Sequence, residues 1–282
     1  RRHDDPTSRR FVPGSGRGIP RISLAEWLVI LETQQKSDPT HAALLLSTLL
    51  IAVCGLIYEL LAGTVSSYLL GDSVYQFSLV IGLFMAAMGM GAYLTRFVTE
   101  RLADAFIWTQ LTVALIGGSS ALILFGAFTY LETYEPFLIL LCVVTGILIG
   151  VEIPLVIRLL RDSRTLKLNV SNVLTADYLG ALAASLLFPL VLVPQLGLVR
   201  TGLFFGLMNV FVAGLALVVL GPRVVHRPQA WSLTLLAAAV LGTAFVYADR
   251  FGDAINARLY AGEIVSAQTT PYQQIVVTRN RG

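Results

Sequence analysis

Three carboxylates stand inside apolar stretches where a charge is costly: Glu59, Glu152 and Asp177, with Arg158 near the end of the stretch that carries Glu152. A buried carboxylate without a cation is driven toward protonation, so a cluster of such residues binds a cation, an amine for example, or relays protons. The structural alternative pairs Glu152 with Arg158 or a neighbouring arginine and lets Asp177 accept from Tyr178, Ser171 or Asn172, both acids then serving to fix packing. At ~1.5 Å per residue, Glu152 and Asp177 each lie roughly 9 Å from the same ends of consecutive antiparallel helices, so the pair is expected to meet at one depth. Glu59 falls between the outer edge and the middle of the first helix, depending on whether residues 65–70 extend it. Pro154 frees the carbonyl near residue 150 and favours a kink beside Glu152.

Other reactive side chains offer less. Cys54 and Cys142 lie inside apolar runs, where a free thiol behaves as a small hydrophobe. His3, His41 and His226 are far apart and match no metal-ligand spacing, so no metal is expected.

The elements that must position the acids follow from composition. Hydrophobic residues make up 56% of the chain, charged residues 13%, and the mean hydropathy is +0.75. The surface of an ordinary soluble protein cannot be built from that mixture, so lipid is expected to be the solvent. Seven apolar runs, near residues 42–64, 74–97, 105–129, 136–157, 173–193, 198–220 and 230–248, each approach the ~20 residues that cross ~30 Å of hydrocarbon. Gly and Ala recur at close spacing, as in Gly82, Ala86, Gly89 and Gly91, or Gly180, Ala181 and Ala184, which lets helix backbones approach. The expected fold is an all-α membrane protein, a bundle of about seven transmembrane helices with a short C-terminal β-hairpin-like segment.

Three parts are expected: a basic N-terminal arm at 1–40, a transmembrane domain at 41–249, and the start of a soluble domain at 250–282. The arm holds Arg1, Arg2, Arg9, Arg10 and Arg17 among Pro, Gly and Ser, and residues 22–35 suit an interfacial amphipathic helix. Lys and Arg recur in alternate loops, at Arg96 and Arg101, at Arg158, Arg161, Arg164 and Lys167, and at Arg223 and Arg227. That pattern predicts an integral protein of the bacterial inner membrane with a cytoplasmic N-terminus, and seven crossings would put the tail outside. The positive charge reads as topology, not as nucleic-acid binding. In the tail, residues 263–268 and 273–279 flank Thr270-Pro271 and favour strands.

Specific motifs add a family. Leu259-Tyr260-Ala261-Gly262-Glu263-Ile264-Val265, followed by Gln268-Thr269-Thr270-Pro271-Tyr272-Gln273-Gln274-Ile275-Val276-Val277-Thr278-Arg279, resembles the opening strands of spermidine synthases. Ala176-Asp177-Tyr178-Leu179-Gly180-Ala181, Phe188-Pro189, Pro194-Gln195-Leu196-Gly197 and Gly55-Leu56-Ile57-Tyr58-Glu59 resemble the membrane domain of the multi-helix, membrane-bound polyamine aminopropyltransferase-like branch. The resemblance implies that Gln273, with Tyr272 beside it, contacts the aminopropyl donor, decarboxylated S-adenosylmethionine in the full family architecture. It also implies that the Gly-rich nucleotide loop, the ribose-binding acid and the catalytic Asp belong to a Rossmann-like domain beyond Gly282.

The leading reading is therefore the membrane domain of a polyamine aminopropyltransferase-like protein. No catalytic residue is expected in this chain, and its partners are the bilayer and a polyamine or other amine. The alternatives are a non-enzymatic subunit of a larger membrane complex and a small amine transporter.

Overall fold

Long apolar stretches wind into helices because every backbone N–H and C=O is then paired within the segment, and proline is tolerated where its missing N–H costs nothing. The computed structural model describes residues 39–130, 134–161, 166–251, 263–269 and 274–279. The basic arm and the amphipathic segment at 22–35 lie outside the described residues.

Helix α1 spans Pro39–Leu70 and opens on proline. It stops at Gly71 and Asp72, whose φ values are 74° and 40°. Asp tolerates the left-handed region better than most residues, and here its carboxylate accepts from the Tyr75 N–H at 3.2 Å, capping α2, Ser73–Leu94. Next come α3, Leu102–Gly118, and α4, Ser120–Tyr130, bent by 43° at Ser119. Helix α5, Glu135–Leu159, carries Pro154 inside it. Helix α6, Leu166–Leu187, continues through a π turn at Phe188–Leu192 into α7, Val193–Val219, which Gly197 interrupts with φ 71° and ψ 176°. Helix α8 is Arg227–Val246. Strands β1, Glu263–Thr269, and β2, Gln274–Arg279, pair antiparallel, with an irregularity between Ile264 and Ser266.

The expected class, an all-α membrane protein with about seven transmembrane helices, needs correction. Among the described residues, five helices are long and apolar enough to cross a membrane, or six if the bent α3–α4 pair counts as one. The run at 105–129 breaks at Ser119. The runs at 173–193 and 198–220 follow one another within Leu168–Val219, where the π turn absorbs Pro189 and the helix resumes over Pro194 before a kink at Gly197, whose backbone is not helical. What these helices share with membrane spans is length and apolarity alone.

Helix α1 is the central post, packed on α2, α4, α5, α6 and α7. Helix α3 lies against α5, α7 and α8, and α2 against α5. Missing side chains make the closest approach possible. A Cβ on Gly118 would sit 2.8 Å from the Gly206 Cα, one on Gly206 would sit 2.8 Å from the Ala114 carbonyl oxygen, and one on Gly202 would sit 2.9 Å from the Gly118 oxygen. As numbering rises along α7 it falls along α3, so the two run antiparallel with their backbones in contact. Phe106, Leu155 and Leu203 fill one side of the interior, and Ile57, Leu61 and Phe205 fill another.

Candidate functional site

Glu152 on α5 is 1% exposed, and its Oε1 accepts from Gln110 Nε2 of α3 at 2.7 Å. No cation meets it. Arg158, one and a half turns further along α5, instead gives its Nη1 to the Thr95 carbonyl at 3.0 Å. Among the described residues the ion pair formed is Arg200 with Asp249, far along the chain from Glu152.

Asp177 reaches the same depth by a different route. Asn169 Nδ2 donates to the Leu160 carbonyl at 2.6 Å, tying the start of α6 to the end of α5. Glu152 and Asp177 stand equally far from that tie, ~12 Å along their helices. Asp177 is half-buried and close enough to Glu152 for the two carboxyl groups to interact through space. It makes no hydrogen bond or ion pair among the described residues, and Tyr178 beside it is 69% exposed.

Asn209 on α7 makes a separate buried contact with α1. The Gly206–Ala114 contact sets the α3–α7 register and places Asn209 opposite Leu111, next to Gln110. Its Nδ2 donates to the Tyr58 hydroxyl at 2.6 Å, and the Tyr58 ring fills the space beside Gly117, where a Cβ would come within 2.7 Å of it. One turn back on α1, the Cys54 thiol faces the Phe205 carbonyl at 3.8 Å. Two buried carboxamide oxygens, Gln110 Oε1 and Asn209 Oδ1, have no hydrogen-bond partner among the described residues.

Glu59 stands apart from the Glu152–Gln110 pair. It is half-buried, lies nearer Cys142, and stands roughly 10 Å along α1 from the level of Glu152. Gln273 and Tyr272, to which the resemblance assigns the aminopropyl donor, lie outside the described residues. Among the described residues, no group of three or more His, Cys, Asp and Glu is arranged to hold a metal ion.

Sequence reasoning missed Gln110 and Asn209. Each is the lone carboxamide of its apolar run, and that was the available signal. It also missed Asp104, which is 8% exposed and accepts from the Val225 N–H at 3.2 Å and the His226 N–H at 3.5 Å, capping the approach to α8.

The site thus belongs to an apolar helical protein with a buried carboxylate–carboxamide pair, Glu152 with Gln110. Comparison with known proteins supplies names. The chain is 43% identical over 241 residues to the polyamine aminopropyltransferase of Leptospira interrogans, covering 85% of this chain and 48% of that protein. It is 47% identical to polyamine aminopropyltransferase 2 of Ralstonia nicotianae, covering 85% of this chain and 48% of the relative. Polyamine aminopropyltransferase 1 of Streptomyces coelicolor is 40% identical, over 84% of this chain and 46% of the relative. Similarity to polyamine aminopropyltransferases therefore extends along most of the chain, and the chain spans about half the length of the curated relatives it matches. Those names describe an enzyme and not a bundle of spans, which weighs further against the seven-helix membrane class. No family model matches, and no solved structure matches.

Proposed function

We propose that this chain is the lipid-embedded part of a polyamine aminopropyltransferase-like protein, which forms spermidine or a related polyamine with decarboxylated S-adenosylmethionine as donor. The observation that carries the reading is the identity of 40–47% to three proteins of that name over 84–85% of the chain. Lipid is the solvent this reading gives the outward faces of α2, α6 and the π turn that follows it, where Val74, Met85, Leu182 and Leu190 are each more than half exposed. In this reading the Lys- and Arg-rich loops and the N-terminus face the cytoplasm.

The test has two arms. Membranes holding the natural full-length protein are washed with alkaline carbonate, and the protein should stay in the pellet. The same protein, purified in detergent, is given putrescine and decarboxylated S-adenosylmethionine, and spermidine and methylthioadenosine should form together. Release into the wash overturns the lipid assignment, and failure to form spermidine with any diamine tried overturns the transferase assignment.

A further inference from the structure

We propose that the end of α2 is a docking surface for an anionic phospholipid, whose phosphate rests on Arg96 and Arg158 and whose acyl chains lie along the exposed face of the helix. This rests on the reading that lipid surrounds the outward faces, and it names the lipid that one of them selects. Helix α2 leaves its apolar stretch through a 3₁₀ turn, Thr95–Phe97. There the Arg96 guanidinium carbon lies 3.8 Å from the centre of the Tyr93 ring and 4.5 Å from that of Phe97, and the two rings stand edge to face at 6.5 Å. All three side chains are exposed. Stacking holds the guanidinium by its flat faces and uses none of its five N–H donors, which point outward round the edge.

Arg158 of α5 comes to the same turn. Its Nη1 donates to the Thr95 carbonyl at 3.0 Å, and the other N–H groups of its fork remain for a second acceptor. Arg161, exposed, follows one turn later on the same strand of chain, its N–H donating to the Arg158 carbonyl. Among the described residues no carboxylate forms an ion pair with any of the three, Glu100 included, although it lies only four residues beyond Arg96. Like charges brought to one end of the α2–α5 pair repel, and an anion offsets that repulsion. A phosphodiester suits the place, since a guanidinium fork pairs with two phosphate oxygens at once. What selects a lipid over a free phosphate is the adjoining surface. Met85, Met90 and Leu94 are exposed on the same helix and give acyl chains apolar contact beside the phosphate. Tyr93 and Arg96 each carry an apolar body and a polar tip, the form that settles where hydrocarbon meets headgroups. Basic clusters at the ends of packed helices take anionic headgroups on these terms.

The experiment adds lipid to the full chain in detergent and counts bound copies by native mass spectrometry. The probes are phosphatidylglycerol, phosphatidylcholine with the same acyl chains, and glycerol 3-phosphate. Phosphatidylglycerol should bind about fivefold or more tightly than phosphatidylcholine, the preference expected from one or two arginines at the headgroup. Glycerol 3-phosphate, which lacks the chains, should not displace it. Arg96→Gln should weaken phosphatidylglycerol binding by about tenfold, the effect of losing a hydrogen bond between charged groups. Because Arg96 is exposed, that variant keeps the fold, and Arg158→Gln should weaken binding several-fold. Arg200→Gln removes the same charge from elsewhere and should leave binding unchanged. The proposal is overturned if the two lipids bind alike, if glycerol 3-phosphate displaces the lipid, if Arg96→Gln binds as the parent does, or if Arg200→Gln weakens binding equally. The carbonate wash asks whether the chain stays in a bilayer at all, and this titration asks which lipid it prefers. A protein that pellets but shows no preference therefore sinks the docking surface and leaves the lipid assignment standing.

Discussion

Helices α1 and α2 are neighbours in the chain, separated by Gly71 and Asp72, and both are apolar throughout, yet they occupy opposite situations. In the most apolar stretch of α1, 56% is buried, against 22% in α2. Helix α1 packs against five other helices and carries polar contacts inward from Cys54 and Tyr58. Helix α2 buries a single stripe, Gln76, Val80, Phe84, Ala87 and Gly91, and shows the rest of its apolar surface outward. Apolarity selects the solvent a helix can tolerate. Which helix becomes central is decided by where small residues allow contact and where polar groups find partners.

The sharpest way to break this contrast is to add bulk on each side of it. Gly206→Leu forces a side chain into the α3 backbone and should cost about 3 kcal/mol. Gly82→Leu on α2, where a Cβ meets nothing within 4 Å, should leave stability unchanged. Chemical unfolding in detergent measures both, and equal losses would erase the distinction between packed and open faces. Asp104→Ala comes next, removing the acceptor for the Val225 and His226 N–H groups and costing about 1–2 kcal/mol. Hydrogen exchange should quicken at residues 225–230 while α1 stays protected, and a uniform change would show that α8 is not capped independently. Tyr58→Phe keeps the ring beside Gly117 and strands the Asn209 amide, for a loss of about 1 kcal/mol by thermal unfolding. The smallest effect belongs to Arg200→Gln. Its ion pair with Asp249 joins side chains 34% and 70% exposed, so the loss should not exceed about 0.5 kcal/mol and should vanish when salt is raised.

The helical runs were legible because apolar side chains without charge declare themselves residue by residue. The breaks were not. Pro189 normally ends a helix, yet a π turn carries the chain past it, while the break falls at Gly197, features of backbone geometry that composition does not encode. The equal depth of Glu152 and Asp177 followed from counting along two helices. Their partner did not, since an amide inside an apolar run reads as neutral and only the α3–α5 contact shows that Gln110 takes the place expected of a cation. The break at Ser119, which follows Gly117 and Gly118, was hidden inside a run otherwise fit to be one helix.

The central place of α1 also sets a timetable. It is made early, but one of its main partners, α7, begins roughly 120 residues later, which at a ribosome's pace of about 10 residues per second is on the order of ten seconds of synthesis. Throughout that interval the hydroxyl of Tyr58 has no Asn209 to meet, and the faces that α6 and α7 will cover stay open to whatever surrounds the nascent chain. The part that ends up most sheltered is thus the part that waits longest, and the hazard of mispairing during synthesis is concentrated on the helix that holds the finished protein together.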